Sequence, residues 1–328
     1  KVDLGSTHET PIELDKMIHI LKKCKSTAYF LDSTNILNNG KTPSEDDLNQ
    51  DLSSLISSTS SRIFVTLFAS NIHRMKAIID LAQKNHRKIV LMGRSIRNYL
   101  DAAYKAQLVD FDPEDFLTPD QISNDRDDVL VLISGCQGDF MAALRRFSFG
   151  EDAHFKPKKK DLVIFSSKII PGNEKKIYRI YNKLTESGVR IATASDYLIH
   201  SSGHPGKKDI KSLLQTFKPN FYFPIHGESY FLNAHQEFIK QEYPQVHVNM
   251  ITNYHEVIFK NKDVKIKQLE KKDTSLIHGK GLEILRSDIS KRRKMATTGS
   301  VFISYHESLN QIQVSFLGVP NQINNAEK

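Results

Sequence analysis

The stretch "IHSSGHPGKKDIKSLLQTFKPNFYFPIHGE", residues 199–228, opens and closes on histidines set among small polar residues. His200 and His204 lie four apart, a spacing that on a helix suits a metal ion. Ser201-Ser202-Gly203 is a weak helix former, however, and Pro205-Gly206 follows at once. The segment therefore reads as a polar loop, rich in backbone N–H groups and hydroxyls, of the kind that suits an anionic oxygen. At its other end the strand candidate "NFYFPI" (220–225) runs directly into His226-Gly227-Glu228. A strand that stops in a polar loop is the feature that decides the fold, because it recurs along the chain.

Working outward, further strand candidates are "TAYFL" (27–31), "RIFVTLF" (62–68), "KIVLM" (88–92), "VLVLI" (129–133), "DLVIF" (161–165), "VRIAT" (189–193) and "QVHVNMI" (245–251). Helical patterns alternate with them. "NIHRMKAIIDLAQKNH" puts Ile72, Met75, Ile78, Ile79 and Ala82 on one face, and "NEKKIYRIYNKLTESG" does the same with Ile177, Ile180, Tyr181 and Leu184 before Gly188. The alternation predicts an α/β fold with parallel sheets and crossover helices. Five strand candidates end in small polar loops, "FLDST", "LFASN", "ISGCQGD", "FSSKIIPGNE" and "FPIHGE". In open parallel sheets ligands sit at that edge, where loops and helix N-termini converge.

Composition narrows the function classes. The 328 residues suffice for two cores. No apolar run is long enough to span a membrane, and the opening "KVDLGSTHET" has no signal-peptide character. Two distant cysteines, Cys24 and Cys136, exclude a disulfide scaffold and predict a reducing, cytoplasmic setting. A formal charge of +8 favours an anionic partner, although runs such as "KPKKK" (156–160) and "KRRK" (291–294) serve equally well as solvated faces. Lys1 is not methionine, and the chain reads as a piece of a longer protein. From residue 261 the sequence turns lysine-rich, which reads as a connector to elements only partly present.

The loops "SSKIIPGNEK", "TLFASNIHR", "GRS", "SGCQGDFMAAL" and, above all, "SSGH" followed by "PIHGE" resemble ribonuclease J. That family comprises metal-dependent RNases of the metallo-β-lactamase superfamily with an inserted β-CASP domain. The resemblance implies the C-terminal part of a metallo-β-lactamase αββα domain carrying an inserted β-CASP α/β domain, a parallel sheet flanked by helices. Residues 1–60 would end the first half of the metallo-β-lactamase domain, 61–210 form the β-CASP domain, 211–260 complete the first domain and 261–328 begin a C-terminal region. Two ions, zinc in most relatives with magnesium or manganese as the alternatives, would be held mainly by an H-x-H-x-D-H motif that does not occur in this sequence. The chain resembles the family from the lysine of its "GDFK" segment onward. It is therefore expected to be inactive alone.

By the same resemblance His226 is a metal ligand, and Asp32 of "LDST" and His204 of "SSGH" are the catalytic pair. Histidine at 226, where DNA-acting relatives tend to carry valine, favours RNA. Ser70 and Asn71 would face His200, Ser201, Ser202, Gly203 and His204 across an RNA phosphate. Arg74 and His73 read as surface residues. Plainer readings stand beside these: Asp32 capping the next turn, Ser70-Asn71 capping a helix, His226 as an ordinary loop histidine. "QGD" with Phe140 departs from the family's "QGEP". The implied activity is 5′-to-3′ exonuclease action on 5′-monophosphorylated RNA with internal cleavage, in RNA processing and decay. The implied assembly is a homodimer or higher oligomer. A non-catalytic RNA-binding or assembly subunit is the competing reading.

Overall fold

Strands that are apolar at every position need cover on both faces, and the sheet built from them has it. A computed structural model of the chain describes residues 13–24, 27–260, 263–271 and 275–319. Lys1, where the matched segment was read to begin, lies outside them. The described residues form two compact units, one up to Thr252 with Phe259–Asp263, the other Asn253–Ile258 with the residues from Val264.

In the first unit, Leu14–Lys23 (α1) precedes Ala28–Asp32 (β1) and Asn49–Ser57 (α2). There follow Ile63–Thr66 (β2), Ile72–Lys84 (α3), Lys88–Met92 (β3), Arg94–Lys105 (α4), Val129–Ile133 (β4), Ala143–Ser148 (α5), Leu162–Phe165 (β5), Glu174–Glu186 (α6) and Arg190–Ala192 (β6). Lys207–Thr216 (α7), Phe221–Ile225 (β7), Ser229–Glu242 (α8) and His247–Val248 (β8) complete it.

Strands β2 to β6 make a five-stranded sheet in the order β3-β4-β2-β5-β6, and its paired neighbours are parallel. Period-two alternation sends Ile63 and Val65 to one face, against Ile56 of α2, Ile78 of α3 and Ile96 of α4. Phe64 goes to the other, against Phe147 of α5 and Ile180 of α6. The helix faces foreseen from spacing are those buried: Met75, Ile78, Ile79 and Ala82 on α3, and Ile177, Ile180 and Leu184 on α6.

A second sheet runs β1-β7-β8, again parallel, with Tyr29 and Tyr222 packed over Leu214 of α7 and Ile239 of α8. The expected strand 245–251 shrinks to His247–Val248. Two of the five polar loops leave the C-terminal ends of this sheet, after β1 and β7, and three leave those of the larger one.

The second unit has pairings of its own. Leu276–His278 (β11) pairs with Leu282–Ile284 (β12), and helix Arg286–Thr298 (α9) precedes the hairpin of Ser300–His306 (β13) and Gln311–Leu317 (β14). His255–Lys260 (β9) and Asp263–Gln268 (β10), at the junction, pair with each other. In the 300–317 hairpin Ile303 opposes Val314 and Tyr305 opposes Ile312, and all four are exposed.

Below the N-terminal ends of β2 and β5, Arg62 and Asp161 form a buried ion pair at 2.5 Å. Arg62 also donates to the Asn124 and Lys156 carbonyls. Removing one partner of such a pair strands a buried charge and costs about 3–5 kcal/mol. Arg62→Met is therefore expected to lower the unfolding free energy by that amount in urea titration. A loss near zero would show that the pair does not secure this edge.

Candidate active site

Register builds the site. In the parallel β1–β7 pair Asp32 is opposite Ile225, so the first residue past β7, His226, emerges beside the last residue of β1. The Ser33 amide donates to the Ile225 carbonyl at 2.9 Å, and the Thr34 hydroxyl donates to the His226 carbonyl at 2.9 Å. His226 has φ 55°, left-handed backbone that costs a non-glycine residue about 1–2 kcal/mol. Gly227 then permits a close approach: a Cβ there would stand 3.2 Å from Ser33 Cβ and Phe231 Cβ.

The loop between β6 and α7 brings His204 to the same place. Its Nδ1 donates to Asp32 Oδ2 at 2.5 Å, while the other carboxylate oxygen accepts the Thr34 amide at 2.6 Å. The turn-capping and catalytic readings of Asp32 thus describe two oxygens of one carboxylate. Burial would raise Asp32, but the bonds from His204 and Thr34 outweigh it together and hold it below the ordinary carboxylate range. The ionised carboxylate fixes the proton on Nδ1 and leaves Nε2 of His204 for a substrate. The His226 ring lies 5.5 Å away, within 18° of parallel, with Nε2 4.0 Å from Asp32.

The chemistry of this donor set suits a divalent ion: ligand atoms of Asp32, His204 and His226 lie within 4.8 Å of one another. Two ligands on one ion with bonds of about 2.0–2.2 Å stand well over 2.5 Å apart. In this geometry the Asp32–His204 contact at 2.5 Å is a hydrogen bond. His226, whose side chain is 66% exposed, is the donor left open to an ion.

The His200–Gly203 loop is held mostly from behind. The Ser201 hydroxyl donates to the Pro43 carbonyl at 2.6 Å, and Ser202 Oγ accepts the His204 amide at 3.1 Å. Asn71 caps α3 by accepting the Arg74 amide at 3.1 Å, and Ser70 beside it is exposed.

Arg74 corrects the surface reading given above. It is buried, pairs with Glu45 through two bonds at 2.9 and 2.7 Å, and donates to Ser166 O, Ser201 O and His200 Nδ1. Burial and then the Arg74 charge push His200 down to about 4, so it is a neutral acceptor for that guanidinium. Arg74 is the link from the "ASN" loop to the "HSSGH" loop.

Two further groups escaped sequence reasoning. The Asp209 carboxylate accepts the Thr42 and Gly206 amides, each at 2.9 Å, and fixes the loop's exit. Fully buried His235 sits between Ser33 Oγ at 2.9 Å and the Tyr222 hydroxyl at 2.7 Å, directly behind Asp32. Burial lowers its pKa to about 4. No motif marks Glu45, Asp209 or His235. A polar hollow of about 270 Å³, with Asn35, Thr42, Lys168, His200 and Ser202 in its lining, opens beside the loop.

Comparison with known proteins agrees with this architecture. Residues 60–184 match the ribonuclease J β-CASP domain, and residues 188–251 match the Zn-dependent metallo-hydrolase RNA specificity domain. Together these define a β-CASP metallo-hydrolase chain. The chain is 36% identical over 211 residues to ribonuclease J of Sinorhizobium meliloti, covering 64% of this chain and 37% of that protein. It is 29% identical over 328 residues to ribonuclease J of Helicobacter pylori strain B128, covering 97% and 47%, and 30% identical over 276 residues to that of Synechocystis, covering 83% and 43%. The chain belongs to the ribonuclease J family and spans less than half the length of these relatives.

His200 and His235 give the fold a pH signature. Both have folded pKa values of about 4 against an ordinary 6.5, so between those limits the unfolded chain takes up protons that the native state refuses. The stability they contribute is complete above pH 6.5 and is lost as pH falls towards 4, at up to about 1.4 kcal/mol per pH unit for each. His235→Gln is expected to cut that slope by roughly half in urea titrations across the window. An unchanged slope would show that His235 titrates normally.

Proposed function

We propose that the chain is the substrate-handling part of a metal-dependent ribonuclease that works from the 5′ end of 5′-monophosphorylated RNA and also cuts internally, in RNA processing and decay. The observation that carries this reading is the Asp32–His204 hydrogen bond beside the open imidazole of His226. His226 would hold a divalent ion, zinc as the family description suggests, and the ion would supply an activated water for attack on the phosphodiester. His204, held by Asp32 with Nε2 outward, would give a proton to the leaving oxygen, and the carboxylate would stabilise the imidazolium that precedes the transfer. The 200–203 loop and Lys168 would receive the terminal phosphate through backbone N–H groups, one hydroxyl and one cation. With the Ser201 hydroxyl engaged by Pro43, the accessible residues of that set are half-buried Ser202 and exposed Gly203.

In this reading the five-stranded sheet and its helices are the β-CASP domain, 61–210, inserted into a metallo-β-lactamase domain represented by 1–60 and 211–260, with 261–328 opening a C-terminal region. The exposed apolar face of the 300–317 hairpin supports a homodimer or larger assembly of the whole protein. A cytoplasmic location fits two free cysteines; among the described residues no helix is long and apolar enough to cross a membrane.

The test is a set of variants in the whole protein. His204→Ala should keep its metal content and lose roughly 10²-fold or more in cleavage rate, and Asp32→Asn should follow it. His226→Ala should lose metal and activity together. Equal metal loss in all three, by elemental analysis, would overturn the division of roles. Ser202→Ala should lower the rate on 5′-monophosphorylated ends relative to internal cleavage. A parallel loss of both activities would argue against the 200–203 loop as the end reader.

A further inference from the structure

Beyond the cleft, the loop after β4 forms a surface that the hydrolytic site does not use. It runs Gly135-Cys136-Gln137-Gly138-Asp139-Phe140. Gln137 ties this loop to the one after β5: its amide donates to the Lys168 carbonyl at 3.0 Å, and its oxygen accepts the Ile170 amide at 2.9 Å. Gly138, at φ 72°, lets the loop lie on α6, since a Cβ there would stand 2.9 Å from Lys176 Cβ.

The result is an open cavity of about 670 Å³ between the loop, α5 and α6. Phe140 is 73% exposed at its rim. The ring does not stand alone: the Arg145 guanidinium lies 4.7 Å from its centroid and 4.6 Å from that of Phe149, so the three groups form a stack. Arg145 is fixed in turn by Glu151 at 2.6 Å.

Along the wall, Lys176, Arg179 and Lys183 repeat at helical spacing, a row about 10 Å long. Glu186 pairs with Lys183 at 2.6 Å and Asp139 sits at the rim, so the cavity's own charge is four cations against two carboxylates. An exposed aromatic face beside a line of cations is what sequence-tolerant binding of single strands requires: a base stacks on the ring while phosphates follow the charges.

We propose that Phe140 and the Lys176–Lys183 face of α6 are a second RNA contact, which takes single-stranded RNA outside the hydrolytic cleft. The ligand class rests on the ribonuclease reading above; the location rests on this cavity. Lysine and arginine alone would serve any polyanion, and the exposed stack on Arg145 is what selects unpaired bases.

The experiment measures anisotropy of a short labelled oligouridylate with the chain in EDTA, so that turnover plays no part. Phe140→Ala should weaken binding about tenfold, within the range for loss of one stacked base, while Phe140→Trp should bind at least as well as wild type. Lys176→Glu with Arg179→Glu should weaken binding and flatten its salt dependence. Lys84→Glu with Lys105→Glu, the same charge change on helices across the sheet, should do so much less. Wild-type affinity in Phe140→Ala, equal weakening by Phe140→Trp, equal effects of the two charge pairs, or no RNA binding by the wild-type chain would each overturn the proposal. Normal binding in these assays with no RNA cleavage by the whole protein would instead sink the hydrolase reading and leave this surface standing.

Discussion

The parallel pairing of β1 with β7 is the constraint on which the site depends. Thr27 donates to the Asn220 side chain and Ala28 pairs with Phe221, partners 193 positions apart in the chain. Closing so long a loop costs little more than closing a short one, because the entropy grows only with the logarithm of length. The whole five-stranded domain can therefore sit between two adjacent strands. A shift of one residue in the register would move Asp32 away from Ile225 and turn its side chain to the other face of the sheet.

Around that pairing, buried polar groups fix what hydrophobic packing leaves loose. Arg74 joins α3 to the carbonyl of Ser201 and the ring of His200, Asp209 holds two loop amides, and His235 bridges Ser33 and Tyr222. Each puts a charged or polar side chain where its bonds are strengthened by low dielectric and where loss of a partner is costly. The loops are thus held with their polar edges facing the cleft before any substrate arrives, which lowers the ordering cost of binding.

The strands and helices were legible because their apolar periodicity is strong and uninterrupted, as in "VLVLI", which is observed at Val129–Ile133. The weak run "QVHVNMI" was not, since its strand is just His247 and Val248, at the edge of the sheet beside β7. In the site, Asp32, His204 and His226 are named through the resemblance of "LDST", "SSGH" and "PIHGE" to ribonuclease J, and the structure brings the three together. Sequence could not find Glu45, whose partner is 29 residues away, or His235, which bridges residues 13 and 202 positions away, and the neighbours of neither carry a pattern. Arg74 was misread for a physical reason: an arginine one turn into a helix is ordinarily solvated, and here Glu45, brought in from before α2, with Ser166, Ser201 and His200, makes its burial tolerable.

Asp32 and His204 form a hydrogen-bonded pair in the structure, and in the function proposed above His226 is the one of the three that would hold an ion. Nitrogen-15 NMR of the histidine-labelled whole protein, titrated with zinc, tests this directly. The expected result for the two rings is a His204 protonated at Nδ1 throughout, with a strongly shifted proton, and zinc-dependent shifts at His226 and not at His204. Loss of the Nδ1 proton on His204 in step with shifts on both histidines would mean that Asp32, His204 and His226 are three ligands of one ion, and the assignment of a proton donor to His204 would fall.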